Sequence, residues 1–414
     1  MPSGLDSQLR RDYFWNTLAS VMVAASTVII GLVVTRAAGL EAGGLVAFAI
    51  TAVGQQLQMV GVYEVRPYQT TDVSHRFEFG TYHATRVITV LLMVVGIVGY
   101  TLLQGRPMSE ALAIMLIASF RLFDAYEDVF LGEFQRSGRL DVAGKANFFR
   151  ALTTTLVFCV VFVFTKNLLV SAAWTILLSL IVMLLLILPP ARAMFQVRPI
   201  FNWSQIRSLL TVCFPLFLGA FLSMYLANAP RYSIDRYLTD YELGVFAILV
   251  MPAVTINLLS LVLFRPLLTR MANLWAEGDG SGFRRLVVRG LVSVAAASAL
   301  VFVVTYFIGV PLLGLLYGTD LSAYKLELMV LVVSGAFNAT SVVLYYALTT
   351  VRKQNLVFIG YLFASVSVFI LSSMLVQSME LLGAAIAYGS AMLVLNGMFA
   401  GALLLSSSKS VKSK

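Results

Sequence analysis

Four ionisable residues occur close together where the chain is otherwise apolar. The segment "SEALAIMLIASF" could begin a membrane span, and it leads directly into "RLFDAYEDVF", which contains Arg121, Asp124, Glu127 and Asp128. A single charge at the centre of a bilayer costs about 2.5–3.5 kcal/mol even on lenient insertion scales, so charges inside a span usually serve a function. Because guanidinium and carboxylate groups bind ions and polar substrates, the segment is a candidate binding site.

These side chains share one face of a predicted helix. At about 100° per residue, Arg121, Asp124, Asp128 and Gln135 form a narrow stripe with Glu127 at its edge, and apolar residues occupy the opposite face. The stripe is confined to the inner half of the span, as expected for a helix that lines a wet cavity opening inward. Two alternatives stay open. Asp124 and Asp128 could neutralise Arg121 in a buried network, or Glu127 and Asp128 could lie near the inner headgroups.

The composition identifies an integral membrane protein. Of 414 residues, 59% are hydrophobic and only 12% are charged, whereas soluble domains contain about 25% charged residues. About twelve apolar stretches approach the roughly 20 residues that a spanning helix needs. The connecting segments are too short for a globular catalytic domain, so we predict an all-α polytopic membrane protein that is not an enzyme.

The basic residues predict the orientation. Most of the 29 Lys and Arg residues fall in the segments that would lie on the same side as the two termini, which places both termini in the cytoplasm. No cleavable signal peptide is evident, and we expect a multi-pass protein of the cell membrane. The net charge of +9 is then explained by insertion and anionic membrane lipids rather than by nucleic acid.

Weak internal similarity suggests two related halves. "SQLR" at 7–10 precedes the first span and "SQIR" at 204–207 precedes the seventh, and Arg36 corresponds to Arg236. Because six spans per half is an even number, both halves would insert in the same orientation. We therefore predict two pseudo-symmetric six-helix lobes around a central cleft, an arrangement typical of alternating-access transporters.

The predicted domains are the two lobes, residues 1–200 and 201–414, joined by the loop that follows Pro189-Pro190. Two prolines in succession end the sixth helix, because proline supplies no N–H for the helical hydrogen bonds.

Two further polar groups are candidates for substrate binding. Asn228, Arg231 and Asp235 at the outer end of the seventh span repeat the spacing of the stripe, and Arg236 follows directly. They could form an outer gate, or the arginines could simply reach toward the headgroups. Gln55 and its neighbours on the second span could bind sugar hydroxyls, although they could equally hold helices together.

Other chemistries lack the necessary residues. "GRLDVAGKA" resembles a phosphate loop, but its glycine spacing is wrong and no Ser or Thr follows the lysine. With only two histidines, no histidine metal site is expected, and we predict no cofactor and no catalytic residue. Cys159 and Cys213 fall in apolar stretches and are expected to be free thiols.

Three segments resemble a known family. They are "DVFLGEFQRSGRLDVAGK" at 128–145, "NAPRYSIDRYLTDYELGVFAILVMP" at 228–252 and "VRPYQTTDV" at 65–73. The chain resembles the polysaccharide-export flippases of the multidrug/oligosaccharidyl-lipid/polysaccharide superfamily. The resemblance implies that the protein turns a polyprenyl-diphosphate-linked oligosaccharide from the inner to the outer leaflet for surface polysaccharide assembly. A polysaccharide polymerase would then be a partner.

The resemblance also implies roles for the arginines. Arg121 would contact the diphosphate, since guanidinium suits phosphate oxygens, and Arg36 with Arg231 or Arg236 would take over on the outer side.

The carboxylates leave the energy source and the substrate class open. Asp124, Glu127 and Asp128 outnumber Arg121. Either arginine from another span balances them, or Asp124 or Asp128 binds H⁺ or Na⁺ and couples transport to an ion gradient. A net negative stripe would also suit a cation-coupled multidrug exporter of the same superfamily, which is the alternative function.

Overall fold

The computed structural model describes residues 3–72, 74, 76–264 and 267–411 and is built from helices, with no β-strand in those residues. The helices are α1 (Ser3–Phe48), α2 (Gln56–Val62), α3 (Val65–Thr71), α4 (Phe79–Leu103), α5 (Met108–Ala118), α6 (Phe120–Arg136), α7 (Leu140–Thr165), α8 (Leu168–Met194), α9 (Trp203–Tyr237), α10 (Asp240–Leu249), α11 (Met251–Phe264), α12 (Leu267–Ala276), α13 (Gly280–Val304), α14 (Val310–Tyr317), α15 (Lys325–Thr350) and α16 (Gln354–Val411). Two π-helices, Ala49–Gln55 and Thr305–Gly309, and a 3₁₀-helix, Ser322–Tyr324, complete the elements.

The described residues contain nine helical segments long and apolar enough to cross a membrane. Two of them, Gln8–Thr71 with 64 residues and Gln354–Leu405 with 52 residues, are each long enough for two spans. Gly39 interrupts the first (φ 91°) and Glu380 the second (φ 50°). Counting two spans for each, and one for α5 with α6, gives the twelve that we predicted. The all-α polytopic membrane fold is therefore confirmed.

The chain divides into two compact units, Met1–Met224 and Tyr225–Lys414. The division falls inside α9, whose first part belongs to unit 1. Within unit 2, α15 packs against α11, α13 and α16. The predicted lobes 1–200 and 201–414, and the cleft between them, stay predictions.

Helices α1 and α7 pack together along much of unit 1. The two backbones come close at Gly144, where a Cβ would lie 2.7 Å from the carbonyl carbon of Trp15 and 2.8 Å from the backbone nitrogen of Asn16. Only glycine allows the two backbones to come so close. Helix α7 also packs against α6, which carries the predicted stripe.

Candidate functional site

The polar stripe occupies a helix of its own. The span that contains it is divided at Ser119, where α5 ends and α6 begins. The Ser119 N–H and hydroxyl both donate to the Met115 carbonyl oxygen, at 3.0 Å and 2.7 Å. Arg121 thus lies in the first turn of α6, with Asp124, Glu127 and Asp128 on the following turns.

Four side chains from α6 and α7 form a buried network of charges. Arg121 donates to the Asp124 carboxylate at 2.9 Å and to the Thr27 hydroxyl of α1 at 3.1 Å. Arg150 of α7 donates to the other oxygen of Asp124 and, at 2.6 Å, to Glu127. Arg150 is 3% exposed and Glu127 is 1% exposed. We call Arg121, Asp124, Glu127 and Arg150 the charge quartet.

The quartet is electrically balanced, with two guanidinium and two carboxylate groups. Asp124 neutralises Arg121 in a buried network, as one of the sequence alternatives proposed, and arginine from another span supplies the missing positive charge. Two buried atoms of the quartet, Arg121 Nε and Glu127 Oε2, have no hydrogen-bond partner among the described residues. Unsatisfied buried polar atoms are costly and call for an explanation, such as a bound water, ion or ligand group.

A small pocket adjoins the quartet inside unit 1. Its volume is about 30 Å³, which is room for about one water molecule. Its polar lining comes from α1, α6 and α7 and consists of Ser26, Thr27, Arg121, Asp124, Arg150 and Thr154. A larger ligand would reach Arg121 only if Asp124 or the surrounding helices moved.

The π-helix Ala49–Gln55 contacts the side chain of Arg121. π-Helical turns are rare and are frequent at functional sites. At Gly54 of this turn, a Cβ would lie 3.0 Å from Arg121 Cγ and 3.3 Å from the Ala118 carbonyl oxygen. The glycine therefore leaves the space that the stem of Arg121 occupies.

Asp128 belongs to a second network, not to the quartet. It accepts from Arg66 at 3.2 Å and from Arg86 at 2.8 Å. Arg86, whose side chain is fully buried, also donates to the Gly61 carbonyl at 2.5 Å, and the Thr89 hydroxyl donates to the same oxygen at 2.7 Å. The alternative in which Asp128 neutralises Arg121 is wrong, because Asp128 pairs with these other arginines.

This second network lies at a break in the second span. Helix α2 ends at Val62 and α3 begins at Val65, and the intervening Tyr63 and Glu64 both adopt left-handed conformations (φ 46° and 49°). Such a conformation costs a non-glycine residue about 1–2 kcal/mol. In an apolar medium the carbonyl groups released by a break need donors, and Arg86 with Thr89 supplies them to Gly61.

The candidates at the end of α9 lie in unit 2. Arg231 donates to the Ala227 carbonyl at 3.2 Å and to the Asn228 side chain at 3.3 Å, and its guanidinium lies 5.5 Å from the centre of the Phe246 ring. Asn228 is buried, whereas Arg236 is exposed and lies over the ring of Tyr237. Arg231 thus has neutral and aromatic neighbours, in contrast to Arg121.

The remaining candidates are in unit 1. Arg36 is exposed on α1, just before the interruption at Gly39. Gln55 is partly buried at the end of the π-helix. Its neighbour Gln56 is buried and donates to the Phe221 carbonyl of α9 at 3.1 Å, which is the helix-holding role that the sequence left open for these glutamines.

Sequence reasoning missed three arginines of these networks, Arg66, Arg86 and Arg150. Arg150 and Arg86 count there only among the basic residues that predict the orientation. Each, however, is followed directly by a long uncharged run, "ALTTTLVFCVVFVFT" after Arg150 and "VITVLLMVVGIVGYTLL" after Arg86. Helical periodicity cannot show which charges of separate spans meet, so their partners were not predictable.

Comparison with solved structures identifies the fold. The chain is similar to the lipid II flippase MurJ in an inward closed conformation (TM-score 0.68, 15% identity, 95% of this chain and 91% of that chain). It is also similar to the MATE multidrug transporter DinF-BH (TM-score 0.64, 16% identity, 96% of this chain and 95% of that chain). A third match is a MOP superfamily transporter from Pyrococcus furiosus (TM-score 0.56, 13% identity, 98% of this chain and 95% of that chain). No protein-family model and no curated protein sequence matches the chain.

These matches show that the chain has the fold of MOP superfamily transporters. MurJ and the MATE transporters are both members of the MOP superfamily, and each match covers nearly the whole of both chains. At these identities the likeness concerns the fold alone. The neighbours are transporters and flippases rather than enzymes.

Proposed function

We propose that this protein, which has the fold of the MOP superfamily transporters, is a flippase. It would move a polyprenyl-diphosphate-linked oligosaccharide from the inner to the outer leaflet for surface polysaccharide assembly. The observation that carries the proposal is the charge quartet, in which two arginines lie inside a membrane-embedded helical unit beside a polar pocket. Guanidinium groups suit the bidentate recognition of phosphate oxygens. The lipid tail would stay in the bilayer while the polar head crosses.

Arg121 is the proposed diphosphate ligand. It has a free Nε, lines the pocket and is held by only one carboxylate, Asp124. Arg150 holds the other oxygen of Asp124 and could keep that carboxylate in place when Arg121 turns to a phosphate. Arg36 and Arg231 or Arg236 are proposed ligands for the later, outer stage. Asn228 and Gln55 are proposed contacts for the glycan.

Charge balance supports proton coupling. The quartet is neutral, so a diphosphate bound to it would add uncompensated negative charge in a low-dielectric site, which is costly. Uptake of H⁺ by Asp124 would remove part of that cost. Asp124 faces Arg121, Arg150 and Glu127, and all three belong to the same network. Asp128, between Arg66 and Arg86, is a second proposed coupling residue.

The test is transport in reconstituted vesicles. A labelled polyprenyl-diphosphate-oligosaccharide would be followed with and without an imposed H⁺ or Na⁺ gradient. Arg121→Ala should reduce flipping at least tenfold, and Arg121→Lys should restore part of it. Arg289→Ala, which changes an exposed arginine of α13, is the matched control. Flipping at the wild-type rate by correctly inserted Arg121→Ala would contradict the diphosphate role.

Coupling is tested by the pH dependence. If substrate binding takes up a proton, wild-type affinity for inorganic pyrophosphate should rise as the pH falls. In Asp124→Asn the part of this dependence that exceeds the titration of pyrophosphate itself should be lost, because the carboxyl group that takes up the proton is absent. A pH dependence that is unchanged in Asp124→Asn would exclude Asp124 as the coupling residue.

The alternative is a cation-coupled multidrug exporter, since the DinF-BH match is nearly as good as the MurJ match. The quartet argues against it, because each of its carboxylates is already paired with arginine. Expression in a drug-sensitive host distinguishes the two. An exporter lowers susceptibility to cationic dyes, whereas a flippase leaves it unchanged.

The cellular location, the orientation and the protein partner are predicted from the sequence alone. The cell membrane as location, cytoplasmic termini and a polysaccharide polymerase as partner all remain predictions. Accessibility labelling of single cysteines placed near each terminus would test the orientation.

A further inference from the structure

The beginning of α9 is held firmly against unit 1 on one face. Ile206, Leu209 and Cys213 are all buried, and Leu209 and Cys213 belong to the hydrophobic core around Phe134. They are spaced at three and four residues, so they mark one side of the helix. The opposite side of these turns is exposed.

The segment that leads into α9 is also fixed. The Ile200 N–H donates to the Gly80 carbonyl at 2.9 Å, and the Thr81 hydroxyl donates to the Gln205 side chain at 2.8 Å. At Gly80 a Cβ would lie 2.6 Å from Ile200 Cδ1 and 2.9 Å from the Arg198 carbonyl oxygen, so the segment lies directly on the start of α4. The exposed face of α9 is therefore presented in a defined orientation.

That exposed face forms a groove of about 530 Å³, within the size range of ligand sites. It is lined by Trp203, Ser204, Arg207, Ser208, Thr211 and Val212. No ion pair between described residues includes Arg207, and Trp203 is 66% exposed. We call these six residues the α9 groove.

The chemistry of the face changes along the helix. Arg207 and the hydroxyl groups come first, and the exposed apolar residues Val212 and Leu216 follow about 8–14 Å further along the axis, at 1.5 Å per residue. A phospholipid has the same order of groups, from an anionic phosphate to hydrocarbon. Exposed Trp is typical of the level in between.

We propose that the α9 groove binds an anionic phospholipid of the surrounding membrane. Its phosphate lies on Arg207 and the hydroxyls of Ser204 and Ser208, and an acyl chain lies along Val212 and Leu216. The unpaired positive charge of Arg207 selects an anionic over a zwitterionic headgroup. This inference is independent of the transported substrate.

Quenching of Trp203 fluorescence by brominated lipids tests the proposal. Trp15, Trp174 and Trp275 are changed to Phe, so that Trp203 is the single reporter among the four tryptophans. The full chain is reconstituted with brominated phosphatidylglycerol or brominated phosphatidylcholine. One arginine at a membrane surface contributes about 1 kcal/mol, so we expect an approximately fivefold preference for phosphatidylglycerol.

Three variants locate the effect. Arg207→Ala should lose the preference and Arg207→Lys should keep most of it. Arg198→Ala, which removes an exposed arginine of the leading segment, should leave it unchanged. Native mass spectrometry of the protein with all four tryptophans, mixed with the same two lipids, measures the preference without the Phe substitutions.

Equal quenching by the two lipids, or an equal loss in Arg198→Ala and Arg207→Ala, would overturn the proposal in favour of general surface charge. Absence of quenching by either lipid would show that the groove does not meet the bilayer, which also overturns it. If added polyprenyl diphosphate relieves the quenching of Trp203 by brominated lipid and unbrominated phosphatidylglycerol does not, the groove binds the transported lipid instead.

Discussion

Removal of Arg150 is the sharpest perturbation of the charge quartet. Arg150→Met fills similar volume but leaves Glu127 without its one ionic partner among the described residues, whereas Asp124 retains Arg121. Breaking a buried ion pair by removing one partner costs about 3–5 kcal/mol, since the other charge stays buried and uncompensated. In a unit of this size 1 kcal/mol corresponds to about 2–4 °C in Tm, so we expect a decrease of about 6–20 °C.

A second change should reverse much of the loss. In Arg150→Met combined with Glu127→Gln, the unpaired carboxylate is replaced by a neutral amide. The site then contains one guanidinium and one carboxylate, Arg121 and Asp124, and is balanced again. We expect the double variant to be more stable than Arg150→Met alone, a non-additivity typical of residues in one network.

The native cysteines provide the assay. Cys159 and Cys213 are both free, and Cys213 is buried, so a thiol-reactive fluorescent dye reports unfolding of unit 1 in detergent. Arg289→Met, at an exposed position of α13, is the control and should leave Tm unchanged. A decrease below about 2 °C for Arg150→Met, or a double variant less stable than the single one, would refute the charge-balance reasoning.

Three further predictions address positions around the site. Gly54→Ala would force a Cβ against Arg121 and the π-helix, so transport should fall and the free energy of unfolding should decrease by about 1–3 kcal/mol. The control Gly31→Ala, with open space around it, should change neither flipping nor Tm. In Arg86→Lys the ammonium group cannot bridge the Gly61 carbonyl and Asp128 as a guanidinium does, so dye-monitored unfolding should show a lower Tm. An unchanged Tm would contradict this role of Arg86. Burial raises the pKa of Asp72, but hydrogen bonds from the Arg76 and Phe77 N–H groups and the Tyr82 and Ser74 hydroxyls lower it below its ordinary value. Its stabilisation is therefore complete above about pH 4 and lost as the pH falls through the lower folded pKa. Asp72→Asn should cost about 1.5–3 kcal/mol at pH 7 and flatten the acid limb of the stability curve; an unchanged acid limb would exclude this role.

The number of spans and the face of the polar stripe are predictable from the amino-acid sequence, because both depend on local periodicity. The predicted apolar stretches correspond to nine helical segments, two of them long enough for two spans, and to α5 with α6. Arg121 and Asp124 meet because residues three apart are neighbours on a helix. The two interruptions of α5–α6 and α2–α3 were not anticipated. Neither Ser119 nor Tyr63-Glu64 is a glycine or proline, and the donors that stabilise the second break come from another helix.

The pairing of the buried charges depends instead on how the helices pack. Arg150 is 26 residues from Asp124, and Arg86 is 42 residues from Asp128, separations at which helical periodicity carries no information. Packing of α7 on α6 brings Arg150 to Asp124 and Glu127, and packing of α4 on α6 brings Arg86 to Asp128. The physical reason is that buried charges must be paired, but the sequence does not specify which neighbouring helix supplies the pair.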